Sequence, residues 1–356
     1  MDIVFWIRSV LLPVREVFPI EAASTLGLLF FGLSWVRRRS IVALPEGRRR
    51  ATLGTIGIAG AAAVLAVGTA SSYVSAANPI TGWGGWWLRP APLLAVALAL
   101  VIFALMLRRE PLPAPGERAI APRRRWWSFA PSPLLWTTGI TAALLLLTAT
   151  WQTAIGVSLP EDGDTYGIGP TVHGPPAYME LQHGFGYVWG AGWPNHALTL
   201  IALALSGSAL VLALSGDANR PVFARVTAAE VRQDRAATAR IVTLITLGGI
   251  LLTLGAVWAF IGFNGDRFVM LGEPDANGAV DVMIGSRYQD FAGILHRGGY
   301  LVQGLGAALL MRLAVDTWRE LRAGRRRATS LPGDPAPTAS VASQTTMPLR
   351  EAGSRQ

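Results

Sequence analysis

Residues 241–262 read IVTLITLGGILLTLGAVWAFIG, a run without a single charge. A helix of that length rises about 33 Å, enough to cross a hydrocarbon core about 30 Å thick. The run is apolar all round, so a helix built from it has no face to turn toward water and its natural solvent is lipid. Working outward from it, windows of comparable character recur along the chain. Together they place seven spans at about residues 18–36, 52–76, 90–107, 133–156, 196–216, 241–262 and 294–316. The last is the least clean, because only 14 uncharged residues separate Arg297 from Arg312. Arginine side chains that snorkel toward the interface close that gap. The expected fold is an all-α integral membrane protein, a bundle of seven transmembrane helices with a small outer cap.

Composition agrees. Of 356 residues, 51% are hydrophobic and 15% charged, where a soluble globular chain carries about one quarter charged residues. There is no cysteine, which excludes disulfides, thiolate metal sites and cysteine nucleophiles. All 31 basic residues are arginine, which excludes a Schiff-base or phosphate-loop lysine. Abundant Ala, Gly and Arg without Lys are the codon signature of a GC-rich bacterial genome.

The arginines also orient the chain. Alternate connections hold 25 of the 31, so the two faces carry about +15 and −6. Positive residues stay in the cytoplasm, which predicts a plasma-membrane protein with its N-terminus outside and its C-terminus inside. Residues 1–17 read as an outer interfacial helix that Pro13 ends or kinks. They are not a secretory signal, because Arg8 interrupts the apolar run and no small-residue cleavage site follows. Thr227 and Glu230 have the spacing of a capping box, opening a polar helix that runs into the sixth span. Residues 324–356, poor in large apolar side chains, are expected to be a disordered cytoplasmic tail.

Two outer loops differ in kind from the arginine-rich connections. Residues 157–195 hold no arginine, four carboxylates, many glycines and a set of aromatics. Residues 263–291 read as a β-hairpin with strands at 267–271 and 279–284 and a turn through 272–278. Thr148–Trp151 and residues 254–258 share a pattern leading into these loops, and duplicated hairpins would explain it. The span interiors lack charged residues, which argues against an ion-coupled transporter. Small residues in the second span (Gly54, Ala62, Ala66, Ala70) and in the seventh (Gly298 with Gly306, Gly299 with Ala307) form lines suited to close helix packing.

Chemistry, if present, lies on the outer side, where all four histidines fall. His173, His183, His196 and His296 are candidate metal or haem ligands, since neutral imidazole suits Zn, Cu and haem iron. His196 and His296 each open a span and are the first choice. Tyr178, Glu180, Trp189 and Trp193 are the candidate ligand-binding residues, because aromatic loops supply apolar surface with a few polar groups. The resulting expectation is a non-enzymatic outer-face protein that binds a ligand or partner, as a sensor or accessory subunit. The alternatives are a histidine-ligated metal or haem protein in redox or cofactor assembly, and a permease lined by Ser, Thr and Gln. Expected partners are membrane lipids and a membrane-protein complex or second copy; nothing in the chain suits nucleic acid.

Overall fold

A computed structural model describes residues 19–36, 40–46, 48–77, 88–119, 122–167, 169–275 and 278–329. The helix expected over 1–17, the aromatic run at 82–87 and residues 330–356 lie outside the described residues. Helix α1 is Pro19–Ser34. Helices α2 (Arg48–Thr55) and α3 (Ala61–Ala77) form one rod through a π-helical turn, Ile56–Gly60. Helices α4 (Ala91–Arg109), α5 (Ser132–Ala154), α6 (Trp193–Ala218), α7 (Ala228–Gly265) and α8 (Gln289–Thr329) follow. Among the described residues six rods are long and apolar enough to cross a membrane, while the apolar part of α1, Ala23–Ser34, is shorter.

Local chemistry sets several of these boundaries. Helices α4, α5 and α6 carry Pro at their first or second position, where the missing N–H would have had no helical partner. Helix α7 starts on the expected capping box: Glu230 N donates to Thr227 Oγ1 at 3.3 Å and Thr227 N to Glu230 Oε2 at 2.9 Å. The polar first turns then continue without a break into the apolar run.

Helix α7 is the axis of the bundle. It packs on α8 through Gly248, Gly255 and Gly262, seven residues apart, which meet Leu310, Gln303 and Gly299, and His296 and Ala292 in antiparallel order. In return Gly299 and Gly306 of α8 lie on the backbone of α7. Small residues let two backbones approach closely, so dispersion accumulates where lipid supplies no hydrophobic drive. Ala307 instead faces Gly27 of α1 and Gly298 meets nothing, so the working line in α8 is Gly299–Gly306. The line expected in the second span breaks as well. Gly54 packs against Leu321, but Ala62, Ala66 and Ala70 are exposed. The π-turn between them inserts one residue, which rotates everything after it by about 100°, and Ala61, Val64 and Gly68 take the buried face.

Successive rods alternate in direction, so the connections gather at two ends of the bundle. One end holds the arginine-rich connections, and several of its described arginines are partnered, although Arg50 Nε is buried without one. Arg49 pairs with Asp217 and lies 3.6 Å from Glu110, which in turn lies 3.8 Å from Arg220. Arg220 donates to Leu107 O and Glu110 O, Arg235 to Ala218 O and Arg220 O, and Arg50 to Glu320 O. All of these carbonyls but Glu320 O, which lies within α8, sit in the last turn of a helix or just beyond it, where the ladder has run out of donors and the helix dipole favours a cation. Arg312 corrects the snorkelling expectation: it is buried, pairs with Asp316 at 3.0 Å and donates to Ser34 O at 3.2 Å. The interior of that span is therefore charged at one end. Helix α8 then runs on to Thr329, so 324–329 are helical rather than part of a tail. Residues 319–328 are rich in Arg and Ala, strong helix formers, with cations near the C-terminus where the dipole favours them.

The other end carries the cap. Strands β1 (Thr165–Tyr166), β2 (Tyr178–Glu180) and β3 (Tyr187–Trp189) form a sheet in the order β1-β3-β2. Strand β3 runs parallel to β1 and antiparallel to β2, with Tyr178 opposite Trp189 and Glu180 opposite Tyr187. The hairpin is present with longer strands than expected, β4 (Phe268–Asp275) and β5 (Gly278–Gly285), in a register that sets Asp275 opposite Gly278. The two loops make one cap: Met179, Leu181 and Val188 share an apolar cluster with Ile284, Tyr288 and Ala292. Glu180 pairs with Arg287 at 2.9 Å across the same seam.

Candidate functional site

Four segments meet beneath the cap sheet: the turn before α4, the loop after β3, the first turns of α6 and the last turns of α7. Arg89 comes from the first. Its guanidinium lies 3.6 Å from the centroid of the Phe260 ring and donates from Nη2 to Asn195 O at 3.3 Å. Its Nε is buried and has no partner in the protein, and no carboxylate of the described residues pairs with it. Burial lowers its pKa to about 10. It stays protonated at neutral pH, as a half-buried cation without a counter-charge among the described residues.

The loop after β3 brings Gly190 to the same place. Its φ is +126°, open to glycine alone, and a Cβ there would sit 2.5 Å from Asn264 Nδ2 and 3.1 Å from Phe260 Cζ. Gly190 O receives the Nε2 proton of His196 at 3.2 Å. That bond assigns the tautomer and leaves Nδ1 of the neutral ring as a lone pair, with no partner in the protein. Asn264 Nδ2 and Thr199 Oγ1 are likewise buried without partners. Asn195 anchors the turn, donating from Nδ2 to Ala191 O at 2.8 Å. His196 is 0% exposed, Thr199 1% and Asn264 4%. Each unmet buried group costs about 1–3 kcal/mol. The side chains of His196 and Asn264 converge on Gly190, beside the Arg89 guanidinium and the Phe260 ring.

Helix α5 closes the neighbouring side. Gln152 O accepts from Gly192 N at 2.8 Å, and Gln152 Nε2 is buried without a partner as well; the Tyr288 hydroxyl donates to Ile261 O at 3.2 Å.

Compared with family models, with curated proteins and with solved structures, the chain matches none. The geometry therefore has to speak for itself.

The residues singled out in the sequence are dispersed. Tyr178 is buried in the cap, edge-on to Trp189 at 5.4 Å. Its hydroxyl donates to Pro170 O and accepts from Val172 N, both at 2.7 Å, so it pins the loop, and burial raises its pKa. Glu180 faces the seam with Arg287, and Trp193 is 51% exposed at the start of α6. Among the histidines only His196 belongs to the cluster. His173 bridges Leu159 and is exposed; His183, at φ +60°, is exposed beside Phe185. His296 does not open its helix but sits two turns inside α8, its Nδ1 2.9 Å from Ala259 O and its ring against Tyr300. Among the described residues no three His, Asp or Glu side chains are grouped as metal ligands.

Arg89, Asn195, Thr199, Phe260 and Asn264 were missed. One signal was available: Arg89 is the only charged residue between Arg50 and Arg108. A solitary cation with no acid near it in sequence, at the less basic end, needs a reason to be there.

Proposed function

We propose that this chain is a multi-pass plasma-membrane protein that binds a small polar ligand under its outer cap, acting as a sensor or as the accessory subunit of a larger complex. Helix α1 serves as the seventh span. The arginine-rich end is cytoplasmic, by the distribution of positive residues, and the capped end faces out. The observation that carries the reading is the cluster under the cap, where Arg89 lies over Phe260, and His196 and Asn264 keep unused hydrogen-bonding groups at Gly190 beside it, with Thr199 one turn along α6. A protein interior normally satisfies such groups, and binding sites are where they are held in reserve. The cap supports the same reading, since its sheet covers Phe260 with Tyr178 and Trp189.

Two measurements test it. Because the chain has no cysteine, single cysteines at Asp162 and Arg225 report the side of the membrane directly. A membrane-impermeant maleimide should label the first and not the second in intact cells; the reverse pattern would overturn the orientation. The full chain in detergent is then melted against a panel of neutral, cationic and anionic small polar solutes. At least one class should raise Tm, and Asn264→Leu should diminish that rise. A panel in which no solute moves Tm would sink the binding role.

A further inference from the structure

The reading above leaves the ligand's chemistry open, and the cluster narrows it. Three of its features are directional. Arg89 Nε and Asn264 Nδ2 are unused donors, both against Phe260, and His196 Nδ1 is an unused acceptor fixed by the Nε2 bond to Gly190 O. The site thus holds one full positive charge and no negative one among the described residues. The first turn of α6, which supplies Asn195 and His196, adds the positive end of a helix dipole. A cationic ligand would meet repulsion from both, and a neutral one would leave the guanidinium uncompensated.

Resting on that proposed binding role, we infer that the site takes an oxyanion, a carboxylate or phosphate group, to which Arg89 Nε and Asn264 Nδ2 donate. A hydroxyl or amino group on the same ligand donates to His196 Nδ1. Arginine presents its donors in a planar fork that matches both oxyanions. Stacking on Phe260 fixes that plane before the ligand arrives, so little side-chain freedom is lost on binding. Gly190 contributes by absence: a side chain there would occupy the approach to Asn264. The same phosphate chemistry is offered by a soluble anion and by a lipid headgroup at the outer surface, and the test separates them.

The full chain is purified in neutral detergent and melted with sodium acetate or inorganic phosphate against sodium chloride at equal ionic strength. In parallel it is melted in phosphatidylcholine nanodiscs with and without phosphatidylglycerol. A rise in Tm with acetate or phosphate assigns a soluble oxyanion; a rise only with phosphatidylglycerol assigns a headgroup. In either case Arg89→Met should weaken binding at least about 30-fold, the loss of a charge-assisted contact. Asn264→Leu, which keeps the cation, should weaken it about 10-fold by removing one donor, and it stands in if Arg89→Met does not fold. Arg297→Met, an exposed charge at the same end, should leave binding unchanged. Equal stabilisation by chloride, retention of the shift in Arg89→Met, or its loss in Arg297→Met would each overturn the inference. So would a Tm that responds to neutral or cationic solutes and to no oxyanion, an outcome that leaves the binding role standing and removes only its ligand class.

Discussion

Arg235 and Arg89 sit at opposite ends of the bundle and look alike at first sight. Each lies over a phenylalanine, Phe129 at 5.2 Å and Phe260 at 3.6 Å, and each donates to a backbone carbonyl at a helix terminus. Arg235, however, uses two nitrogens on the carbonyls of Ala218 and Arg220 at 2.7 Å, and Asp217 balances its charge. Arg89 has one longer bond to Asn195 O and no acid. The first is construction: the cation closes helix ends that membrane or headgroup would otherwise leave unsatisfied. The second, on the proposed binding role, is a charge held ready. Residue type does not separate the two, and Arg89 is the less buried of them; the balance of partners is what tells them apart.

The arginine end should therefore break hardest when a partner is removed. Asp316→Ala leaves Arg312 buried without its carboxylate and deprives Ile41 N of its acceptor at 2.8 Å. A loss of about 3–5 kcal/mol is expected in denaturant unfolding of the purified chain. Replacing both members, Arg312→Met with Asp316→Leu, should recover most of it, because an apolar pair needs no desolvation. If the double variant is as weak as the single one, the ion pair is not what holds α1 to α8.

At the cap end the backbone comes next. Gly190→Ala puts a Cβ between Asn264 and Phe260 at a φ that alanine avoids. The combined strain and crowding should cost about 2–3 kcal/mol and lower Tm. A neutral Gly190→Ala would mean that the loop is free to move off the cluster. Tyr178→Phe is milder. It leaves Pro170 O and Val172 N without their shared hydroxyl, a cost of about 1–2 kcal/mol. Amide exchange over 169–172 should speed up while α7 stays protected, as expected of a pin on the cap.

These contrasts also mark how far the sequence could be read. The rods were legible because solvent is a property of each segment alone: a long run without charge needs lipid whatever its neighbours do. The capping box at Thr227 and Glu230 and the hairpin around Asp275 were legible for the same local reason. The π-turn at Ile56–Gly60 was not, since nothing in its composition separates it from an α-turn, and it rotated the alanine line out of the interior. The cap sheet was hidden because strands of two or three residues are too short to show a period of two. The cluster was hidden because it is assembled from four distant segments, and the conspicuous aromatics and histidines drew attention to residues that mostly pack or face solvent. Phe260, inside an apolar span, looked like any other lipid-compatible side chain until Arg89 was found against it.

The smallest effect is the sharpest test of the comparison. Without ligand, Arg89→Met removes a half-buried charge, forfeits a 3.3 Å hydrogen bond to Asn195 O and keeps an unbranched side chain against Phe260. The lost bond is worth about 1 kcal/mol, and the relief of an uncompensated cation in a low-dielectric site offsets it or exceeds it. The variant should hold its stability or gain about 1 kcal/mol, while Arg235→Met, which orphans two carbonyls, should lose about 1–3 kcal/mol. Chemical unfolding of both variants in the same detergent compares them directly. A binding site gives up stability for its ligand, and filling or neutralising it returns that stability. Equal losses at the two ends would mean that Arg89 is construction as well, and that the cap covers a seal instead of a site.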